Sequence, residues 1–317
     1  MNRHFDGKIF SLENNVNLGD SSWIAPQQIE QRKMSDTAKS IDACAAYYGA
    51  AAEEMKAYLL DGEQRALELA NRGPLVFDHN GDLDPAIREA YSRYGFYIFE
   101  GVIDAAELQD IRADLDAMRA RFPTGPESPL DAQGEPALGV DHSALTLVWS
   151  KPLGDPLGGT ALANGRHEIK MFEPAAASDT PAAAPFLLLG SLQFSDACLR
   201  VYGHPSLLQV AEQINGPDFA PFNEALFIKD PGIGAAVSWH QDGVTHWDSD
   251  HFEEDIHGFN FMAQVYGSTA VNGVWVLPGT HKQGKLDIKA LVAESGSERL
   301  KGALPLICNP GDVVICN

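Results

Sequence analysis

The sequence predicts a mainly β fold with flanking helices, a sheet-built barrel or sandwich preceded by a helical N-terminal stretch. Three observations carry the prediction. From about residue 220 the chain breaks into short β-rich runs separated by turn residues, at 226–228, 235–239, 259–266, 274–277 and 313–315. Before that point, apolar residues recur with a helical period between capping residues. The composition of the 317 residues, 44% hydrophobic and 21% charged, is that of a globular protein of one large or two smaller domains, not of a disordered or fibrous chain.

Taken in order, Ser35 and Asp36 can cap a helix. Ile41, Cys44, Ala45, Tyr48, Ala52, Met55 and Leu59 then follow as the stripe of an amphipathic helix. Asp61-Gly62 predicts its end, a second helical run covers 63–71, and Gly73-Pro74 predicts a stop. Residues 1–80 are thus expected to form a helical extension with a packing role. Asp84-Pro85 opens a run with Ile87, Ala90, Tyr91 and Tyr94 on one face, and Gly95 precedes a strand-like Phe96-Tyr97-Ile98-Phe99. Asp104 caps a helix carrying Leu108, Ile111, Leu115 and Met118, which ends before Pro123. Enrichment in Pro, Ala and Gly over 123–136 and 173–185 predicts surface loops. Asn272-Gly273 predicts a hairpin turn between two of the β runs.

Charge and cysteine usage exclude several function classes. With 23 basic and 44 acidic residues the net charge is −21, which repels a phosphate backbone or an anionic membrane surface. Cysteines at 44, 198, 308 and 316 match neither a zinc C-x2-C pair nor a dense disulfide framework, so a reducing interior is expected. The N-terminus has no apolar leader core, and no run approaches the ~18–20 apolar residues of a membrane span. The expectation is a soluble, cytoplasmic protein acting on a small molecule, with its oligomeric state open.

The chemistry-bearing pattern is H-x-D, found at His4-Phe5-Asp6, His240-Gln241-Asp242 and His246-Trp247-Asp248. Only His240 ends a β run, where residues two apart point the same way and place an imidazole and a carboxylate on one face. That is two-thirds of the 2-His-1-carboxylate set that binds non-haem Fe(II). The competing reading is a surface His–Asp pair at a strand end. His246 falls in a polar segment, 245–255, expected to form a loop over the site. Along 259–266 the alternation puts Asn260, Met262, Gln264 and Tyr266 on one side, which lines a pocket or faces solvent.

Several segments, in order, closely resemble the phytanoyl-CoA dioxygenase family. They are Tyr94-Gly95-Phe96-Tyr97-Ile98-Phe99-Glu100-Gly101-Val102, the run from Phe227 to Gly234, Trp239-His240-Gln241-Asp242, the run from Asn272 through Pro278-Gly279-Thr280-His281-Lys282, and Pro310-Gly311-Asp312-Val313-Val314. The resemblance covers roughly residues 84–317 and implies a double-stranded β-helix, or jelly-roll, barrel over 81–317. It also implies an Fe(II)- and 2-oxoglutarate-dependent dioxygenase that uses O2 to oxidise a small-molecule C–H bond, releasing succinate and CO2. By position, His240 and Asp242 match the first two iron ligands. Lys229, eleven residues earlier, falls where some members contact 2-oxoglutarate, its alternative being a surface lysine on an edge strand. Asn223, of the same parity as Lys229, and Gln264 join it as candidate 2-oxoglutarate contacts. The carboxylate at Asp242 favours hydroxylation or another oxidation over halogenation, and His281 is expected to be structural. In the family a distal histidine ligand and an arginine for 2-oxoglutarate follow the Gly-Asp-Val-Val strand. The chain stops at Asn317, so the domain is expected to be cut short there, with those residues beyond it. The competing class is a non-catalytic barrel that binds a metal or small molecule.

Overall fold

Helix α1, residues 39–46, and helix α2 (Ala52–Glu68) are separated by a turn and the 3-10 helix Gly49–Ala51, where Gly49 takes φ +55°. The break predicted at Asp61-Gly62 does not occur, because Gly62 serves close packing: a Cβ there would stand 2.7 Å from Cζ3 of Trp275. The predicted stripe is real. Ile41, Ala45, Met55 and Leu59 are buried with Ala270, and Trp275 and Ile307 pack against them. The computed structural model describes residues 39–142, 146–159, 165–242 and 258–317. The His4 and His246 tripeptides and the predicted loop 245–255 lie outside the described residues.

Gly73-Pro74 belongs to a short strand, β1 (Arg72–Pro74), which pairs in parallel with β2 (Phe96–Glu100). Between them runs α3 (Pro85–Tyr94), capped by Asp84, whose side chain accepts from Ala86 N. Gly95 ends α3 in the left-handed region at φ +81°, and a Cβ there would stand 2.6 Å from Nδ1 of His281. Helix α4 (Ala105–Ala120) is capped by Asp104 through Glu107 N, as its sequence predicts. Strands β3 (Thr146–Ser150) and β4 (Ala184–Leu189), helices α5 (Asp196–Tyr202) and α6 (Pro205–Asn215), and strand β5 (Leu226–Phe227) follow. The remainder comprises β6 (Asn260–Ala263), β7 (Trp275–Val276), α7 (Ile288–Ser295), β8 (Leu304–Pro305) and β9 (Val313–Cys316).

The main sheet has the order β1-β2-β9-β6, with β9 antiparallel to both β2 and β6. Strand alternation gives it two apolar faces. Tyr97, Phe99, Val313, Ile315 and Phe261 meet α3, α4, α5 and α6 through Ile87, Tyr91, Leu108, Ile111, Ala197 and Val210. Phe96, Ile98, Val314 and Met262 meet Leu306, Cys308 and Val276 on the other side. Each fully buried Val, Leu, Ile or Phe among them contributes about 1.5–3 kcal/mol. Asp312, in the turn before β9, is a structural carboxylate: Oδ1 accepts from Gly101 N (2.9 Å) and Oδ2 from Asn309 N (2.7 Å).

Two smaller sheets, β3-β4-β5 and β7-β8, complete the architecture. Among the described residues the three sheets do not close into a barrel and helix outweighs strand, so the fold is mixed rather than the expected mainly β barrel. The physical reason is clearest at 235–239, predicted as a strand. Ala236 N donates to Gly154 O (2.9 Å), and just upstream Ile233 O accepts from Leu153 N (2.8 Å). The backbone here is satisfied by a loop instead of a ladder. The hairpin predicted at Asn272-Gly273 is also revised. The turn forms, with Asn272 Oδ1 accepting from Thr269 N (2.8 Å), but β6 pairs with β9 and β7 with β8. Among the described residues no helix is long and apolar enough to cross a membrane.

Candidate metal centre

Residues 238–242 lack regular strand structure, yet their side chains alternate. On one side Trp239 Nε1 donates to Glu298 O (2.7 Å). Gln241 is held there twice, Nε2 donating to Gly284 O (3.0 Å) and Oε1 accepting from Leu286 N (2.8 Å). On the other side stand Ser238, His240 and Asp242, with His240 Nε2 3.5 Å from Asp242 Oδ1.

The chemistry of the pair follows from its hydrogen bonds. His240 Nδ1 lies 2.8 Å from the Ser238 carbonyl oxygen, which can only accept, so Nδ1 carries the hydrogen. The Nε2 lone pair is then left facing a carboxylate oxygen. Two electron-pair donors facing each other across this gap are joined by a proton or by a cation, and an imidazole with a carboxylate suits Fe(II). The donor set therefore fits two positions of an iron site. Asp242 is held below the usual carboxylate range, first by the neighbouring His240 and then by the Arg166 charge, with burial opposing. Arg166 Nη1 donates to its Oδ1 (3.3 Å) and Asn260 Nδ2 to its Oδ2 (2.9 Å). Among the described residues no group of three or more His, Cys, Asp or Glu side chains is placed to hold a metal.

A second imidazole, unmarked by any motif, packs against His240. His167 is 1% exposed and stacks on the His240 ring with centroids 4.2 Å apart and planes inclined by 29°. Its Nδ1 is 3.1 Å from Ser238 Oγ, while its buried Nε2 has no hydrogen-bond partner among the described residues. Burial, followed by the neighbouring His240 and Arg166 charges, pulls His167 down to about 4. The described residues flanking it are gathered by buried Asp155, whose carboxylate accepts from Gly158 N (2.8 Å) and Met171 N (2.8 Å). Gly158 has no room for a Cβ against that carboxylate. Glu173 fastens the far end, accepting from Asp155 N (2.8 Å) and pairing with Lys170 (3.0 Å) and Lys151.

Lys229 Nζ donates to Ala235 O (2.6 Å), and burial of that tip lowers its pKa. The strand expected to join Asn223 to Lys229 is limited to β5, leaving Asn223 exposed in irregular chain. Gln264 lies just past β6, its N–H donating to Asp312 O (2.9 Å) and its carbonyl accepting from Gly311 N (2.8 Å). No hydrogen bond or ion pair links Lys229, Asn223 or Gln264 to His240 or Asp242. His281 is buried and donates from Nε2 to Ser92 O (3.0 Å), bracing the end of α3. Asn260 was visible from strand alternation, and Ser238 extends the His240–Asp242 alternation backward by one step. Arg166 and His167 carried no sequence signal, because only the folding of a distant loop brings them to the pair.

A family model for phytanoyl-CoA dioxygenase (PhyH) matches residues 91–317. A search of curated proteins gave no match. The solved structure of EvdMO1 is 16% identical with a TM-score of 0.43, over 71% of this chain and 42% of that one. The solved structure of the non-heme alpha ketoglutarate dependent epimerase SnoN from nogalamycin biosynthesis is 14% identical with a TM-score of 0.36, over 74% of this chain and 72% of that one. Both likenesses are too loose to carry an argument about the site, and the chain spans less than half the length of EvdMO1. The family match instead covers more than two-thirds of the chain and takes in β2, the His240–Asp242 segment and β9, so this chain belongs to the phytanoyl-CoA dioxygenase family.

Proposed function

We propose that this chain carries part of the site of an Fe(II)- and 2-oxoglutarate-dependent oxygenase of jelly-roll type, which hydroxylates or otherwise oxidises a C–H bond of a small molecule. The observation that carries the reading is the His240–Asp242 pair, 3.5 Å apart, with the imidazole hydrogen committed to Ser238 O. His240 would hold the metal through Nε2 and Asp242 through a carboxylate oxygen. Ser238 fixes the tautomer, while Arg166 and Asn260 orient the carboxylate. When bound, the iron supplies the O2 activation that these side chains lack, with succinate and CO2 released from 2-oxoglutarate. Lys229 is the proposed anchor for that dicarboxylate, exchanging its contact with Ala235 O for a charged partner. Asn223 and Gln264 are proposed as further polar contacts to it. We read the protein as cytoplasmic, in keeping with free thiols at all four cysteines.

The test is succinate formation from 2-oxoglutarate by the full-length protein with Fe(II), alongside Co(II) binding. Both activities are expected in the parent, and His240→Ala and Asp242→Ala are expected to lose both. A parent that binds no metal overturns the proposal. A parent that binds metal but never forms succinate supports the second reading, a non-catalytic metal- or small-molecule-binding member, which the two-donor set among the described residues favours.

A further inference from the structure

We propose that His167 is a positioning residue for His240, acting through Ser238 to fix the plane and tautomer of the metal-facing imidazole. The inference rests on the reading of His240 as a ligand but makes no use of 2-oxoglutarate. Ser238 is the shared element: its carbonyl oxygen takes the Nδ1 hydrogen of His240 (2.8 Å), and its hydroxyl meets Nδ1 of His167 (3.1 Å). One serine thus binds the edges of two imidazoles that also stack face to face at 4.2 Å. Rotation of the His240 ring about Cβ–Cγ has to break the Ser238 contact and slide against a ring that is itself fixed.

His167 can serve as a fixed reference because the described residues on either side of it are tied down by hydrogen bonds. Its own carbonyl oxygen accepts from Gly159 N (2.5 Å), and Asp155 gathers the two ends of the loop through Gly158 N and Met171 N. Gly154 O, which accepts from Ala236 N (2.9 Å), ties the same loop to the segment that leads into His240. Packing alone does not account for a histidine here. A buried nitrogen without a partner, as at Nε2, costs about 1–3 kcal/mol, and an apolar ring would fill the space without that penalty. The group that distinguishes histidine from phenylalanine is the Nδ1 contact with Ser238. Partners of this kind tune ligand orientation and basicity, and their loss costs roughly 10–100-fold in metal affinity.

The experiment uses the full-length protein and two readouts. In the metal-free state, long-range 1H–15N correlations of the histidine rings report which nitrogen of His240 carries hydrogen. In the second, Co(II) is titrated and followed by its visible absorption. The parent is expected to show His240 protonated at Nδ1. His167→Phe, which keeps the ring volume, and Ser238→Ala, which keeps the carbonyl, are each expected to give mixed tautomers and Co(II) binding weaker by about tenfold or more. The double variant is expected to be no weaker than either single one, since both act through one contact. Should His167→Phe fail to fold, Ser238→Ala carries the test. Parent-like tautomer and Co(II) affinity in these variants overturns the positioning role. A parent that binds no Co(II) overturns the metal reading instead, and the tautomer measurement still decides the role of His167.

Discussion

Gln241 Oε1 accepts the Leu286 N–H at 2.8 Å while its Nε2 donates to Gly284 O at 3.0 Å, so one side chain pins residues 238–242 to the chain ahead of α7. Gln241→Leu removes both bonds and leaves a partly buried N–H and C=O without partners, at an expected cost of about 1–3 kcal/mol. Urea denaturation of the two proteins measures it. Co(II) affinity is expected to fall as well, because the opposite side of the same segment presents His240 and Asp242.

That pin also explains why the pair was legible and its surroundings were not. Two-residue alternation requires only an extended chain, and the sequence 238–242 supplies it without a ladder. A regular strand at 235–239 was expected from its apolar residues, but Gly154 and its neighbours claim the backbone, an outcome fixed by a loop some eighty residues away. Helices α3 and α4 were legible because Asp84, Pro85, Gly95 and Asp104 act locally. Gly62 has the local signature of a breaker, but its reason for being glycine is Trp275, more than two hundred residues distant. His167 gives no local signal for the same reason.

At Gly62 local and tertiary effects oppose each other. On an exposed helix Gly→Ala stabilises by about 1 kcal/mol. Here the added methyl meets the Trp275 ring and stands 3.2 Å from Pro305 Cδ, and overpacking of a filled site costs about 1–3 kcal/mol. Gly62→Ala is therefore expected to lower the melting temperature. A rise would show that the α2 contact with Trp275 yields easily.

Glu173 makes the loop carrying His167 sensitive to acid. Hydrogen bonds from Lys151 and from the Asp155 backbone, with help from Lys170, lower its pKa from 4.5 to about 2. A depressed carboxyl stabilises the fold fully above its unfolded pKa, and that contribution is lost as pH falls through the folded value. Glu173→Gln is thus expected to be less stable than the parent above pH 4.5, with the gap closing towards about pH 2. Urea midpoints at neutral pH and at acid pH give the comparison, and a gap that widens with acid contradicts it.

For Lys229 the expected result separates cosubstrate from metal. Its ammonium rests on Ala235 O (2.6 Å). Lys229→Ala is expected to weaken 2-oxoglutarate binding while leaving Co(II) affinity near the parent's. Titration of 2-oxoglutarate into the anaerobic Fe(II) protein, followed by metal-to-ligand absorption, tests the first half. An unchanged dissociation constant returns the residue to a purely structural role.

Asn260 offers a test in which two effects have opposite signs. It lies on β6 opposite Cys316 of β9, and its Nδ2 donates to Asp242 Oδ2 at 2.9 Å. Asn260→Asp replaces that donor with a second carboxylate beside the first. Two like charges so close repel, and ionising both becomes harder. The metal-free protein is therefore expected to lose about 1 kcal/mol of stability, a modest figure because Asp242 is half-exposed and water screens the pair. With a divalent cation on the His240–Asp242 pair the sign reverses, because the added oxygen is a further donor and its charge attracts the ion. Co(II) affinity is expected to rise roughly tenfold, equivalent to about 1.4 kcal/mol. Asn260→Leu removes the donor without adding charge, so it is expected to destabilise the metal-free protein without tightening metal binding. If Asn260→Asp loses stability and gains no affinity, the cation does not sit where the pair places it.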